Sequence, residues 1–175
     1  MYLYNILMSD DVVKSINSNM DYILDKIPEI KNMIGFDQKH PHHHLDVWEH
    51  TLYALSLSPK DFEVRLTLFL HDIGKPFSYQ EGEIRHFKGH PQVSSEISRN
   101  ILRRLGYDKN FVDKICRYIE LHDTPIEEEK VKEDPKMYLK LYKIQYCDAL
   151  AHHPDKLEKR IEYLEKTKKL VYKKD

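Results

Sequence analysis

Histidine is the residue type that most clearly suggests chemistry in this sequence: eleven of the 175 residues are histidine. Neutral imidazole is the commonest protein ligand for metal ions, and it also exchanges protons near pH 7. The chain has only two cysteines, Cys116 and Cys147, so a metal site here would use nitrogen and oxygen donors. Such donors suit manganese, iron, nickel, cobalt or zinc better than calcium.

Several ligand-type side chains fall where the helical pattern calls for an apolar residue. Asp148 continues the stripe that contains Leu141 and Ile144, and His122 follows Ile119 on one face of an earlier segment. A buried carboxylate is costly unless it is paired or bound to a cation. The other ligand-type side chains on core-facing stripes or at the ends of predicted helices are His50, His71, Asp72 and His90.

If these side chains converge, four imidazoles and two carboxylates share one site. Six ligands exceed what one catalytic metal with an open position takes, so two metals bridged by a carboxylate fit better. Each residue also has an ordinary interpretation. A histidine at a helix end can be a cap or a surface residue, and Asp148 can pair with a lysine or arginine. Six such coincidences in one chain are harder to explain than any single one.

The elements that must position these residues are predicted to be helices. Glycine is scarce, at 5 residues, and the periodic segments are long, which is typical of an all-α fold. The segment 77–87, centred on Glu81-Gly82, predicts one short β-hairpin. The predicted helices cover about 10–27, 46–57, 58–73, 91–105, 108–121, 134–151 and 154–173, with a polar loop at 37–45 and a solvated linker at 127–133.

Composition sets limits on the class of protein. The formal charge of −1 gives no general argument for binding nucleic acid or an anionic membrane. Two cysteines are too few for a disulfide framework, and no apolar run approaches the roughly 20 residues that span a bilayer. The N-terminal residues show no signal peptide. We therefore expect a cytoplasmic protein whose residues 1–175 form a single domain.

The segment His71-Asp72-Ile73-Gly74-Lys75-Pro76 resembles the HD-domain superfamily of metal-dependent phosphohydrolases. The resemblance extends over about residues 42–155 and is greatest to the HD domain of bacterial tRNA nucleotidyltransferases. On this basis we expect an HD-domain helical bundle, with helices from residues 1–35 and 154–173 packed on it. The other segments that carry the resemblance are 46–52, 81–91, 121–123 and 148–152.

The resemblance implies roles for all six residues. His50, His71, Asp72 and Asp148 match the quartet that holds one metal in this superfamily. His90 and His122 match the extra histidines of members that hold a second metal, with Asp72 as the bridging carboxylate. Two divalent transition metals are therefore expected, and metal-activated water would attack phosphorus.

The substrate side of the site is predicted from residues near this set. Lys75 follows the metal-binding pair and is the predicted catalytic phosphate contact, although cations also favour helix C-termini for electrostatic reasons. Arg85, His86 and Lys88 lie on the predicted hairpin and are predicted to meet substrate. His40, His152 and His153 are interpreted as incidental or as neighbours of the ligands. His42, His43 and His44 either line the mouth of the site or form a polar loop.

Departures from the relatives narrow the expected activity. Residues 1–40 contain no glycine-rich motif with paired aspartates, so nucleotide addition is not expected. Gly106-Tyr107 is followed by Asp108, which differs from the Gly-Tyr-Pro signature of cyclic-di-GMP phosphodiesterases. The expected activity is hydrolysis of a phosphomonoester or a (cyclic) phosphodiester of a small nucleotide-like substrate. The alternatives are an HD-fold di-iron oxygenase and a non-catalytic nucleotide- or RNA-binding module, and the net charge does not support an RNA end as partner.

Overall fold

A computed structural model of the chain describes residues 2–41 and 44–172, apart from the side chain of Lys156. The described backbone is mainly helical, as predicted, and two 3₁₀ turns cover Pro28–Asn32 and Pro154–Lys156. The helices within these ranges are α1 (Tyr2–Leu7), α2 (Val12–Asn17), α3 (Met20–Lys26), α4 (Val47–Ser56), α5 (Phe62–Leu70), α6 (Lys75–Ser78), α7 (His90–Arg104), α8 (Lys109–Leu121), α9 (Glu128–Glu133), α10 (Pro135–Leu150) and α11 (Glu158–Val171).

Side-chain caps fix the starts of the helices that carry the predicted ligands. Asp46 accepts a hydrogen bond from the Glu49 N–H at 2.7 Å, and the Glu49 carboxylate accepts one from the Asp46 N–H at 3.3 Å. This is the predicted capping box at the start of α4. Asp108 and Asp134 cap α8 and α10 with a single side-chain bond each, accepting from the N–H of Phe111 and of Met137. The histidine in α4 and the carboxylate in α10 are therefore on helices whose register is set locally.

Some predicted elements differ from the structure. The single helix expected over 10–27 is divided into α2 and α3, where the Asn19 amide donates to the Ser15 carbonyl at 2.7 Å and competes for the helical backbone. The helix expected from 58 begins at Phe62, because the Asp61 carboxylate caps it. The linker predicted at 127–133 is wrong: it contains α9, which packs on α10 and buries Val131.

The predicted hairpin at 77–87 is not confirmed. Among the described residues, Gln80 and His86 form one isolated antiparallel bridge, with the Gln80 N–H donating to the His86 carbonyl at 2.9 Å. The Arg85 N–H donates instead to the Lys39 carbonyl at 3.1 Å. Residues 77–87 therefore bond to the 36–39 loop as well as to each other, and within this segment no second β-bridge extends the first into a hairpin.

The most apolar helix lies at the centre of the fold. In α5 every side chain from Val64 to Leu70 is buried, and α4, α8 and α10 contact it. Helix α1 also contacts α5, α2 contacts α4, and α11 contacts α10. Because α5 is surrounded, whatever follows its last residue is delivered into the interior of the protein.

Gly74 allows the segment after α5 to meet α7. A Cβ atom on Gly74 would lie 2.5 Å from the backbone nitrogen of Ser94, and the Gly74 N–H donates to the Ser94 hydroxyl at 2.9 Å. Only glycine permits this approach, which brings the start of α7 towards the end of α5. None of the helices in the described ranges is both long and apolar enough to cross a bilayer.

Candidate metal centre

Helix ends bring the six predicted ligands together. His71 and Asp72 directly follow α5, His122 directly follows α8, and His90 begins α7. His50 lies inside α4 and Asp148 lies in the last turn of α10. All six are buried, with none more than 7% exposed.

Asp72 lies at the middle of this cluster, and its two oxygens face different histidines. Its Oδ2 is 3.2 Å from His71 Nε2 and 3.7 Å from His50 Nε2. Its Oδ1 is 3.2 Å from His90 Nε2 and 3.9 Å from His122 Nε2. One carboxylate therefore connects two groups of donors, as a bridging ligand must.

Asp148 completes the group on the Oδ2 side. Its Oδ1 lies 2.8 Å from His50 Nε2 and 3.4 Å from His71 Nε2. On the other side, Asp123 Oδ2 lies 3.4 Å from His90 Nε2 and 3.8 Å from His122 Nε2. Each side of Asp72 thus has two imidazoles and a further carboxylate within reach.

The histidine rings are oriented by the backbone. The Nδ1 atom of each predicted ligand lies within hydrogen-bond distance of a carbonyl oxygen, so we assign its proton there. That choice turns the Nε2 lone pair towards the carboxylates. The pairs are His71 with Leu68 (2.7 Å), His90 with Phe87 (2.9 Å), His122 with Ile119 (2.6 Å) and His50 with Ala151 (3.2 Å).

The polar atoms at the centre fit a cation. Within the described residues, His71 Nε2 and both oxygens of Asp72 are buried and make no hydrogen bond of acceptable geometry. Buried polar atoms are almost always satisfied, so unsatisfied ones mark a place for an ion or a reacting group. Lone pairs on imidazole and carboxylate converge here, and this donor set suits divalent transition metals.

The electrostatics of the metal-free cluster support the same interpretation. Burial alone would lower the pKa of His71, but the carboxylates of Asp72 and Asp148 outweigh it and raise that pKa to about 10. Burial would raise the pKa of Asp72, yet the charges of His71 and Lys75 hold it well below its usual range. Burial is the main cause that lowers the pKa of His122. A proton on His71 thus offsets part of the negative charge that a metal would neutralise.

Lys75, the predicted phosphate contact, lies against the bridging carboxylate. Its side chain is buried, with Nζ 2.8 Å from Asp72 Oδ2, and it donates to Gln38 Oε1 at 2.9 Å. The ammonium also lies 5.5 Å from the centre of the Phe87 ring. Lys75 lines the cleft above the cluster, but its charge is already engaged by Asp72.

The three other predicted substrate residues are not equivalent. Arg85 lines the cleft, but it is bound to Glu81 at 3.0 Å and lies over the rings of Phe36 and Tyr79. His86 also lines the cleft and is exposed. Lys88 is exposed and lies outside the residues that line the cleft. Contact with substrate stays a prediction for all three.

The cleft itself opens above both groups of ligands. It has a volume of about 230 Å³, and Asp72, His90, His122 and Asp148 lie in its wall. His40 lines it as well, with its ring 6.0 Å from that of His86. A small polar molecule that enters this cleft meets the cluster directly.

Asp123 and Gln38 were not predicted as site residues, and His152 was predicted only as an incidental residue or a neighbour of the ligands. His152, interpreted as incidental or a neighbour, is buried, and its Nδ1 lies 2.9 Å from the Asp148 carbonyl. It forms a third group of possible ligands with His50 and Asp148. Gln38, which holds Lys75, is 1% exposed. The spacing of four residues between Asp148 and His152 was the available signal, since His152 follows directly on the end of the predicted 134–151 helix. In the structure α10 ends at Leu150 and His152 lies just beyond it.

The remaining histidines lie apart from this cluster or outside the described residues. The His44 ring contacts that of His153, with centroids 5.3 Å apart. His42 and His43 lie outside the residues that the structure describes.

Comparison with known proteins identifies the family. A model described as HD domain matches residues 42–168. The CC-adding tRNA nucleotidyltransferase of Thermus thermophilus is 36% identical over 113 residues, 59% of this chain and 26% of that enzyme. The A-adding tRNA nucleotidyltransferase of Deinococcus radiodurans is 32% identical over 104 residues, 55% of this chain and 24% of that enzyme. This chain spans about a quarter of the length of these curated relatives. The match covers all six predicted ligands and most of the sequence, so the chain belongs to the HD domain family.

Proposed function

We propose that this chain is a divalent-metal-dependent phosphohydrolase that cleaves a phosphomonoester or a (cyclic) phosphodiester of a nucleotide-like substrate. The observation that carries the proposal is Asp72, whose two oxygens face separate pairs of histidine Nε2 atoms at the floor of an open cleft. Two metals held in this way favour in-line displacement at phosphorus. The names of the relatives support a nucleotide-like substrate, because both are tRNA nucleotidyltransferases.

The proposed ligands are divided between two metals. His50, His71 and Asp148 would hold one, His90 and His122 would hold the other, and Asp72 would contribute an oxygen to each. Metals at such a centre lower the pKa of water and stabilise charge that develops on phosphoryl oxygens. Asp123 and His152 lie beside the two groups and are further possible ligands.

The protein's own groups orient this centre. Backbone carbonyls fix the tautomer of each histidine, which keeps Nε2 available. Lys75 balances the charge of Asp72 and, with Gln38, restricts how that carboxylate can turn.

The test is a phosphatase assay on protein of known metal content. Purified protein is analysed for metals and then loaded with Mn²⁺, Ni²⁺ or Co²⁺. Mononucleotides, 2′,3′-cyclic nucleotides and an aryl phosphate are offered as substrates. We expect hydrolysis of at least one phosphoester, with EDTA abolishing it. Inactivity towards all three classes would contradict the proposal, as would oxygen consumption by iron-loaded protein without phosphoester hydrolysis.

A further inference from the structure

A second cavity, the second lobe, shares part of its wall with the cleft above the predicted ligands. This lobe has a volume of about 210 Å³ and shares His122, Asp123, Asp148 and Arg160 with the first. Each lobe is below the roughly 300–1,000 Å³ of pockets that hold drug-sized ligands. A substrate that reaches the metal ligands can therefore have one part in each lobe, with Arg160 beside both.

Arg160 is the cation of the cleft that other side chains leave uncommitted. The ammonium of Lys75 is bound to Asp72 and Gln38, and the guanidinium of Arg85 is bound to Glu81. Arg160, in the first turn of α11, is half-buried, and in the described parts of the chain its side chain makes no hydrogen bond or salt bridge. Guanidinium binds phosphate oxygens bidentately, which gives both strength and orientation.

The wall of the second lobe is apolar and rigid. Pro125, Ala149 and Leu164 contribute apolar surface to it. The Tyr163 hydroxyl accepts from the Ile126 N–H at 2.9 Å and donates to Gln145 Oε1 at 3.1 Å.

Gln145 ties the loop after α8 to this wall. Its amide donates to the carbonyls of Leu121 and Thr124 at 3.2 and 2.7 Å. These bonds connect the loop after α8 to α10 along the wall of the lobe.

We propose that Arg160 binds the phosphoryl group of a mononucleotide and that the second lobe receives its nucleoside. This proposal rests on the proposed function and adds the orientation of the substrate in the cleft. In the reaction, water adds to phosphorus, the bond from phosphorus to the nucleoside oxygen breaks, and that oxygen takes a proton. The products are inorganic phosphate beside Arg160 and a nucleoside against the apolar wall. The first lobe, whose floor is charged, suits the phosphate side and not the base.

The first experiment measures binding of inorganic phosphate to Mn²⁺-loaded protein by calorimetry. Arg160→Gln is compared with Arg103→Gln, an exposed arginine outside the cleft. We expect Arg160→Gln to weaken phosphate binding by about tenfold or more, since a charge-assisted bidentate contact is lost. Metal content and thermal unfolding of both variants are expected to match the wild type. Equal phosphate affinity in the two variants overturns the proposal.

The second experiment fills the lobe. Thr124 is exposed, lines the second lobe, and makes its described hydrogen bonds through the backbone, so Thr124→Tyr adds bulk without removing them. We expect kcat/KM for a 5′-mononucleotide to fall about tenfold or more while that for glycerol 2-phosphate changes less than about twofold. Equal changes for the two substrates overturn the orientation.

The two proposals fail in different ways. If the wild type hydrolyses nothing but binds phosphate through Arg160, the phosphohydrolase proposal is wrong and the phosphate site stands. The lobe is then tested by measuring mononucleotide binding by calorimetry. Thr124→Tyr must weaken that binding. If the wild type is active and Arg160→Gln matches Arg103→Gln in phosphate affinity, the Arg160 proposal is wrong and the activity stands.

Discussion

Asp72 has a geometry that a single hydrogen-bonding role does not explain. Its side chain is 1% exposed, yet neither oxygen has a hydrogen bond of acceptable geometry within the described residues. The ammonium of Lys75 approaches one oxygen and histidine Nε2 atoms approach both. Asparagine has the same shape as aspartate but no charge. Its substitution at position 72 therefore tests the charge while the volume stays the same.

Asp72→Asn is expected to lose the metals with little change in shape. An amide is a poorer ligand for two cations, so bound metal falls below half of the wild-type amount and phosphohydrolase activity falls by about two orders of magnitude or more. Elemental analysis and the phosphatase assay measure the two effects. Asp21→Asn, on the exposed surface of α3, is the control. Full metal content with full activity would remove Asp72 from the bridge.

Metal binding is expected to release a proton from His71. The raised pKa of about 10 means that the metal-free protein holds His71 protonated at pH 7.5, whereas a metal needs its lone pair. Because a proton on His71 competes with the metal, metal affinity is expected to rise with pH up to about 10. Titration calorimetry at pH 7.5, in two buffers of different ionisation enthalpy, measures the release. Equal heats in the two buffers would contradict the expectation.

At the level of elements, three ligands share one local arrangement. His71, His90 and His122 each lie at a helix boundary and each place Nδ1 against the carbonyl oxygen three residues earlier. Local sequence thus determines the orientation of these rings, but it does not determine how far apart the helices lie. That distance depends on contacts such as the one between Gly74 and α7.

Gly74→Ala is expected to separate α7 from the end of α5. The added Cβ would lie 2.5 Å from the Ser94 nitrogen and 2.9 Å from the Val93 carbonyl carbon, and backbone atoms cannot move aside cheaply. The free energy of unfolding is expected to fall by about 1–3 kcal/mol. Denaturant unfolding measures it, with Gly82→Ala as control, because Gly82 is exposed and its added Cβ would come no nearer than 3.2 Å to the Ile84 carbonyl oxygen. Equal stability of the two variants would contradict this account.

Tyr163→Phe is expected to loosen the loop that follows His122. Its hydroxyl connects the Ile126 N–H to Gln145 Oε1, and its removal takes a hydrogen bond from each of these two atoms. The cost is expected to be about 1–2 kcal/mol of unfolding free energy, together with weaker binding of the metal at His90 and His122. Tyr2→Phe removes an exposed hydroxyl bonded to Asn19 and is the control. Denaturant unfolding and metal titration distinguish the variants, and indistinguishable results would refute the role of the hydroxyl.

At the level of the whole molecule, periodicity predicted which side chains face inward but not every helix boundary. The caps at Asp46, Asp108 and Asp134 could be read because each cap acts within four residues. The break between α2 and α3 depends on Asn19 competing for a backbone carbonyl, and α9 depends on packing against α10.

The candidate site likewise contains residues that the sequence pattern reveals and residues that only packing places. Asp148 and His122 were visible as polar residues on apolar stripes. Arg160 was not, because only the packing of α11 on α10 brings its half-buried guanidinium to the cleft.

Removal of metal is expected to lower the stability of the whole fold. The ligands come from α4, α7, α10 and the residues that follow α5 and α8, so bound metal joins five elements. A ligand that binds only the folded state at 100 times its Kd stabilises it by about 2.7 kcal/mol. Thermal unfolding with added Mn²⁺ and with EDTA measures the difference. An unchanged Tm, with metal bound according to elemental analysis, would contradict it.

The backbone carbonyls that hold the histidine rings also bear on metal exchange. Because Leu68, Phe87 and Ile119 orient these ligands before any ion arrives, little rearrangement accompanies entry or loss of an ion. Relative affinities of a nitrogen–oxygen site for first-row divalent ions follow the chemical order of the ions themselves, so the supply of each ion also decides which one is bound. The metal recovered with the protein is therefore expected to follow the supply in the growth medium, so cells grown in manganese and in zinc should yield different occupants of one unchanged site.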